Sequence, residues 1–488
     1  MSQTAAPNRA TLMNVDVPTD LLIGGEWTPS GRTLEVHDPS TGALLTAVAD
    51  ATVADAQAAV SAAYAAFGPW ASTSPRRRAE VLRAAYEIMA AQQEDCARLI
   101  VLENGKAWAD AMSEVAYAAE FFRWFSEEAC RIPGDFRTSP AGDKTIIVDH
   151  QPVGVAYMIT PWNFPAAMAT RKLAPALAAG CTAVLKPAAE TPLTALWIAD
   201  VLRRAGAPDG VVNVITTSDP GPVSDAVLID PRVGTLSFTG STGVGKMLLA
   251  RTAQRSLPAS MELGGNAPLL VLEGADLNNA VAGALAAKMR NGGSACTAAN
   301  RFYVHESLVA PFSDAFEHAL RGIAVGSGLD PTNGLGAMVS TSERDKVLEL
   351  VARAVDEGAT ASEASTPPAQ GAFIGPHVVR GVEHGQTLTR EEIFGPVAPI
   401  VTVDSTEQAV HMANDTQYGL ISYVFAKDQG EGIRVARQLQ SGMVAVNRGV
   451  ASDPAAPFGG MKESGLGREG GFAGIHEYLQ SQYIAADL

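Results

Sequence analysis

The run Asn291-Gly292-Gly293-Ser294-Ala295-Cys296 places one cysteine among small and polar residues that suit a tight backbone better than a packed core. A free cysteine usually fills core space as a small hydrophobe. Here the surroundings fit either a turn with an incidental thiol or a backbone shaped to present a nucleophile. An attacking thiol needs a base and donors for the oxyanion it creates, and other short stretches offer such groups. "TPWNFP" (160–165) fixes Asn163 in a stiff loop between prolines, where its amide can donate to a developing oxyanion. "SMELGGNAP" (260–268) sets Glu262 before two glycines, and "VLKPAAETP" puts Lys186 at the carboxyl end of an apolar run, where open α/β sheets bind ligands.

"VGTLSFTGSTGVGKMLLA" comes close to a phosphate loop through Gly240, Gly245 and Lys246, but Met247 stands where a magnesium-binding hydroxyl is required. The glycine spacing also fails G-x-G-x-x-G. What remains is a strand-to-helix turn whose amides can receive a pyrophosphate. No G-x-S-x-G and no histidine pair at metal-ligand spacing occurs, which disfavours a serine hydrolase or a zinc enzyme, so no metal is expected.

The elements that must carry these groups are legible in outline. Residues 51–130 read as amphipathic helices: "VADAQAAVSAAYAAF", the long "SPRRRAEVLRAAYEIMAAQQEDCARLIVLENGK", and "SEVAYAAEFFRWFSEEACR". Ser74-Pro75 is a helix start. From Gly154 short β-branched runs alternate with helices, which predicts an α/β fold with a doubly wound parallel sheet. A second α/β region begins near Leu263, with "APLLVLE", "RFYVHE", "APIVTV", "ISYVFAK" and "MVAVNRG" as strands and "TASEASTPPAQGAF" as a surface loop.

With 488 residues, the chain exceeds what one hydrophobic core serves. Its formal net charge of −16 argues against broad nucleic-acid binding. Cys96, Cys130, Cys181 and Cys296 are far apart, which suits a reducing compartment. "MSQTAAPNRATLMNVDVPTD" lacks the apolar core of a signal peptide, and the uncharged stretch 151–170 holds too many prolines for a membrane span. A cytoplasmic protein is expected.

Seven stretches taken together carry a resemblance: "TPWNFP", "KPAAETP", "FTGSTGVGK", "MELGGNAP", "GGSACTAANR", "EEIFGPV" and "PFGGMKESGLGRE". Their order and spacing resemble the aldehyde dehydrogenase superfamily, from "LLIGGEW" at 21–27 to the C-terminus. "PAAMATRKLAPALAAGCTAVLKP" and "GLGREGG" are similar to its succinate-semialdehyde dehydrogenase branch. The resemblance implies Cys296 as nucleophile, Asn163 as oxyanion donor and Glu262 as the base for water. It implies oxidation of succinate semialdehyde to succinate through a thiohemiacetal and a thioester, with glutarate semialdehyde or an aromatic aldehyde as the alternative. A coenzyme-A-acylating enzyme would not need Glu262, and a non-catalytic relative would not need the intact trio.

The same resemblance implies a cofactor site at Thr160, Trp162, Asn163, Lys186, Pro187, Ala188, Ala189, Gly240, Ser241, Leu263, Glu392 and Phe394. NAD-using members commonly carry Glu where this chain has Ala189. Its absence removes repulsion of a 2′-phosphate, so NADP is favoured over NAD, although Glu190 lies next door. Arg171, Arg290 and Ser452 match positions that hold a substrate carboxylate, a task suited to arginine forks. Ala298 replaces the second cysteine of some relatives, so no disulfide switch is expected there. The implied architecture is a cofactor domain (1–130 and 154–262), a catalytic domain (263–445) and an oligomerisation element (131–153 and 470–488), with 446–469 returning to the site. Tails of this kind add a strand to a neighbouring subunit, which implies a homodimer or homotetramer.

Overall fold

A computed structural model describes residues 8–487. Two large sheets organise the chain. The first has eight strands, and its centre is the parallel set Val155–Ile159, Thr182–Lys186, Val212–Val214, Val233–Thr239 and Ala259–Glu262. These are the β-branched runs after Gly154, and their residues are almost all buried, as a sheet covered on both faces requires. Antiparallel strands close its two edges: Leu21–Ile23 with Glu26–Thr28 on one side, Gly465–Leu466 on the other.

The helix Pro165–Ala179 is buried along its whole length. Its alanines let it sit close against the sheet and the helix Trp108–Glu128 at once. The second sheet has seven strands in the order Thr360–Glu363, His377–Arg380, Val397–Val403, Ala299–His305, Ala267–Val271, Ile421–Phe425 and Met443–Val446. All its pairings are parallel except the first. Glu262 ends a strand of the first sheet and Cys296 precedes a strand of the second, so the reactive groups meet where the sheets adjoin.

Ser74 caps the helix Pro75–Ala91 by accepting from the Arg77 amide, with proline in its first turn. The long helical segment is not one helix. It breaks at Gln92 (φ −115°, ψ 31°) into Pro75–Ala91 and Gln93–Asn104, with no glycine or proline to signal the stop. The start of "TASEASTPPAQGAF" is also a strand, Thr360–Glu363, rather than loop. It lies at the sheet edge with its side chains exposed or half-buried, so it lacks the apolar alternation that reveals a strand. The tail strand Leu479–Ala486 pairs antiparallel with Thr145–Pro152 of its own chain, and Asp135–Thr138 completes that small sheet. Among the described residues no helix is long and apolar enough to cross a membrane.

Candidate active site

The backbone before Cys296 is left-handed over three consecutive residues: Asn291 (φ 54°), Gly292 (φ 58°) and Gly293 (φ 76°). Asparagine tolerates this conformation better than most side chains, and here it is tied down. Asn291 Nδ2 donates to the carbonyls of Asn163 (2.8 Å) and Ser294 (2.9 Å), and its amide N–H donates to Asp110 Oδ2 at 3.0 Å. At Gly293 a Cβ would stand 2.2 Å from the Gly395 carbonyl, so no side chain fits. The glycines therefore shape a turn that brings Cys296, half-buried, to a cavity wall. Burial pushes its thiol up to about 12; Arg171 and Arg290 oppose that shift, while Glu262 and Glu392 add to it.

Asn163 follows the strand Val155–Ile159 on its proline-bounded loop. Its Nδ2 donates to the Ser294 carbonyl at 3.1 Å, which uses one amide hydrogen and leaves the other available. Glu262 is fully buried, and neither carboxylate oxygen has a hydrogen-bond partner. Burial raises its pKa well above the ordinary carboxylate range, and the nearby Glu469 raises it further against Arg171 and Lys172. Those two cations are engaged by Glu469, through Lys172 Nζ at 2.5 Å and Arg171 Nε at 3.0 Å.

A cavity of about 300 Å³ joins Trp162, Asn163, Gly240, Ser241, Leu263, Cys296, Glu392 and Phe394. Trp162 meets Phe394 edge-on at 5.3 Å. Phe394 itself has φ 54°, and its carbonyl accepts from Ser294 Oγ at 3.2 Å, docking this loop on the cysteine turn. Glu392 Oε1 accepts from the Gly265 amide at 3.1 Å, and burial pushes its carboxyl up to about 7. Ser241 caps the helix Thr242–Thr252, and Thr239 Oγ1 and Thr242 Oγ1 are buried without partners nearby. An acidic group for ribose, a helix N-terminus for pyrophosphate and orphaned hydroxyls fit a dinucleotide. Glu343 and Lys346, paired at 2.5 Å, also line this cavity. They come from the helix Thr341–Asp356, and no local motif marks them.

Thr160, Lys186, Pro187, Ala188 and Ala189 lie on neighbouring strand ends rather than on that cavity wall. The Thr160 amide donates to the Lys186 carbonyl at 3.2 Å. Lys186 Nζ donates only to the Pro187 carbonyl (3.0 Å), and burial pulls its ammonium down to about 8. Ala188 and Ala189 are half-buried and Glu190 is exposed.

The carboxylate-binding candidates separate. Arg290 and Ser452 share a second cavity, of about 490 Å³, with Tyr117 and Asp110. Arg171 lines neither cavity. Its guanidinium lies 4.0 Å over the Phe458 ring beside Glu469, with Nη2 buried and unpartnered. The two arginines are joined by an aromatic pair: Arg290 lies over Tyr117 (5.6 Å) and Arg171 over Phe121 (5.4 Å), with the rings 4.9 Å apart.

A cysteine, an amide donor and a carboxylate without a partner among the described residues thus meet beside a cleft that fits a dinucleotide. Residues 27–484 match the aldehyde dehydrogenase family, and the chain belongs to it. It is 50% identical to a succinate-semialdehyde dehydrogenase of Paenarthrobacter nicotinovorans over 442 residues, covering 90% of this chain and 98% of that one. A glutarate-semialdehyde dehydrogenase of Pseudomonas aeruginosa is 43% identical, over 95% of this chain and 96% of its own. The crystal structure of an E. coli NADP-dependent enzyme superposes with a TM-score of 0.95 at 41% identity, covering 98% and 100% of the two chains. The α/β architecture is that of the family, whose members use NAD or NADP to oxidise aldehydes.

Proposed function

We propose that this protein oxidises succinate semialdehyde to succinate with NAD(P)+, NADP being preferred. The observation that carries the substrate assignment is the cavity shared by Arg290 and Ser452, in a chain that is 50% identical to a succinate-semialdehyde dehydrogenase. Cys296, its thiol proton released to solvent, attacks the aldehyde carbon as the thiolate, and the free hydrogen of Asn163 Nδ2, with the Cys296 amide, receives the oxyanion of the thiohemiacetal. One such donor is worth roughly 10²–10³ in rate. A nicotinamide held in the cavity beside Cys296 would supply the acceptor for the hydride on that carbon. Glu262, whose oxygens hold no partner, then takes a proton from the water that hydrolyses the thioester.

Trp162, Leu263 and Phe394 would flank the nicotinamide, Glu392 its ribose, and Gly240 with Ser241 the pyrophosphate. Lys186, with Thr160, Pro187, Ala188 and Ala189 around it, would face the adenosine ribose. NADP is supported by the missing carboxylate at Ala189 and by the relative named as NADP-dependent. Arg290 and Ser452 would hold the substrate carboxylate, and Arg171, which lies outside their cavity, would support Arg290 from behind the Tyr117–Phe121 pair. We assign residues 1–130 and 154–262 to cofactor binding, 263–445 to catalysis, and 131–153 with 470–488 to assembly of a homodimer or homotetramer. Four unpaired cysteines support a cytoplasmic setting. Steady-state kinetics with succinate semialdehyde, glutarate semialdehyde, propanal and benzaldehyde, each with NAD and NADP, tests the reading. A higher kcat/KM for propanal than for both semialdehydes would overturn it.

A further inference from the structure

One cluster of buried charge is used by none of these steps. The helix Gln93–Asn104 ends in the turn Glu103-Asn104-Gly105-Lys106, and each polar side chain of that turn reaches a backbone group of another segment. Asn104 Nδ2 donates to the Trp162 carbonyl at 2.9 Å, and Lys106 Nζ donates to the Asn163 carbonyl at 2.7 Å. Lys106 also pairs with Glu114 at 2.5 Å, their side chains 2% and 0% exposed. Glu114 Oε1 accepts from the amides of Ala166 (2.8 Å) and Ala167 (3.3 Å), the first turn of the helix that leaves the loop. Glu103 does the same for the helix Pro192–Arg204, accepting from Leu193 (2.7 Å) and Thr194 (2.9 Å). Gly105 (φ 87°) makes the turn possible, since a Cβ there would stand 2.7 Å from Pro39 Cγ.

We propose that Asn104 and Lys106, with Glu114 as the lysine's partner, are positioning residues that hold the Trp162–Asn163 backbone so that Asn163 Nδ2 stays aimed at the oxyanion. Past Thr160, whose amide still donates to the Lys186 carbonyl, the loop to the helix starting at Pro165 has no sheet ladder to fix it. Pro161 and Pro165 have no N–H to contribute. Side-chain donors from behind take the place of the ladder, and they grip the carbonyl of the residue whose amide does the work. A buried ion pair is no better for stability than apolar residues of similar volume. The buried charge is therefore explained by what it holds: a second donor on the Asn163 carbonyl, beside Asn291 Nδ2, and one acceptor on the helix start.

This inference rests on Asn163 being the oxyanion donor, and the experiment separates the two. Single-turnover formation of NAD(P)H is followed with enzyme in excess over succinate semialdehyde, and with propanal in parallel. Asn163→Ala is the control; if its rate is unchanged, the reading of Asn163 falls first. Lys106→Met leaves Glu114 charged and unpaired, whereas the double variant K106M/E114Q removes that charge and keeps an acceptor for the helix start. The expectation is that the double variant melts closer to the unmodified protein than Lys106→Met does. Its single-turnover rate stays about tenfold or more below the unmodified enzyme, while its cofactor Kd moves by less than about twofold. Asn104→Ala, which disturbs no charge, is expected to slow the same phase about threefold. Recovery of the rate together with stability would overturn the proposal, as would a parallel loss of cofactor affinity. If neither Lys106 variant folds, an unchanged rate in Asn104→Ala overturns it.

Discussion

Arg290 is the cleanest place to test the substrate reading. Its guanidinium is half-buried, shares a cavity with Ser452, and is ion-paired to no carboxylate among the described residues. Arg171 differs, because its removal would also strip Glu469 of one of its two cations and uncover the Phe458 ring. Arg290→Leu keeps an apolar stem over Tyr117 and Phe164, the rings 5.6 and 5.2 Å from the guanidinium, so packing is largely retained. A charge-assisted hydrogen bond to a carboxylate contributes roughly 1.5–3 kcal/mol. At about 1.4 kcal/mol per decade, kcat/KM for succinate semialdehyde should fall about ten- to a hundred-fold. Propanal has no carboxylate, so its kcat/KM should hold within about twofold. Both substrates would be assayed at one ionic strength with saturating cofactor. Equal losses for the two aldehydes would refute the reasoning and return the chain to a general aldehyde dehydrogenase.

Glu262→Gln should leave a rapid first equivalent of NAD(P)H per site and slow the following steady state by roughly 10²–10⁴, the usual worth of a general base; loss of the rapid phase would place Glu262 before hydride transfer. In cofactor-free enzyme the Cys296 thiol, pushed up to about 12, is neutral at ordinary pH. Its alkylation by iodoacetamide, read by mass spectrometry of that peptide, should therefore climb about tenfold per pH unit, and a plateau near neutral pH would contradict the burial argument. Ala189→Glu should shift kcat/KM towards NAD by setting a carboxylate against the 2′-phosphate, and an unchanged ratio would leave Lys186 as the next candidate. Lys186 is charged below about 8 and loses its proton above it, so any NADP advantage it confers should shrink as pH rises through that value.

The parts of this molecule that were legible in sequence are those governed by local rules. The parallel strands from Val155 to Glu262 showed as β-branched runs between helices, and Ser74-Pro75 showed as a helix start because capping is a matter of a few adjacent residues. Cys296, Asn163 and Glu262 stood out because glycines or prolines stand close beside each of them. Lys106 and Glu114 did not, since "ENGK" and an alanine-rich helix look like ordinary surface until the fold buries them against the Asn163 loop. Glu469 was equally hidden, because the nearer of its two cations in sequence, Lys172, lies 297 residues away. The break at Gln92 and the strand Thr360–Glu363 arise from what packs alongside, which no local pattern records.

The division of cations beneath the site bears on the order of the chemistry. Glu469 takes both Lys172 and Arg171, which leaves Glu262 buried with no direct partner. A carboxylate in that position resists ionisation, and a charged Glu262 in turn pushes the Cys296 thiol up. A thiolate at Cys296 and a carboxylate at Glu262 therefore disfavour each other. When Cys296 is the nucleophile, a protonated Glu262 adds no repulsion to the developing thiolate. Once the sulfur is bonded to carbon it can no longer become a thiolate, so an ionised Glu262 then has no thiolate to oppose it. Acylation of Cys296 thus separates the two charges in time: the thiolate is needed before the carbon–sulfur bond forms, and the Glu262 carboxylate only after it, when water must be activated.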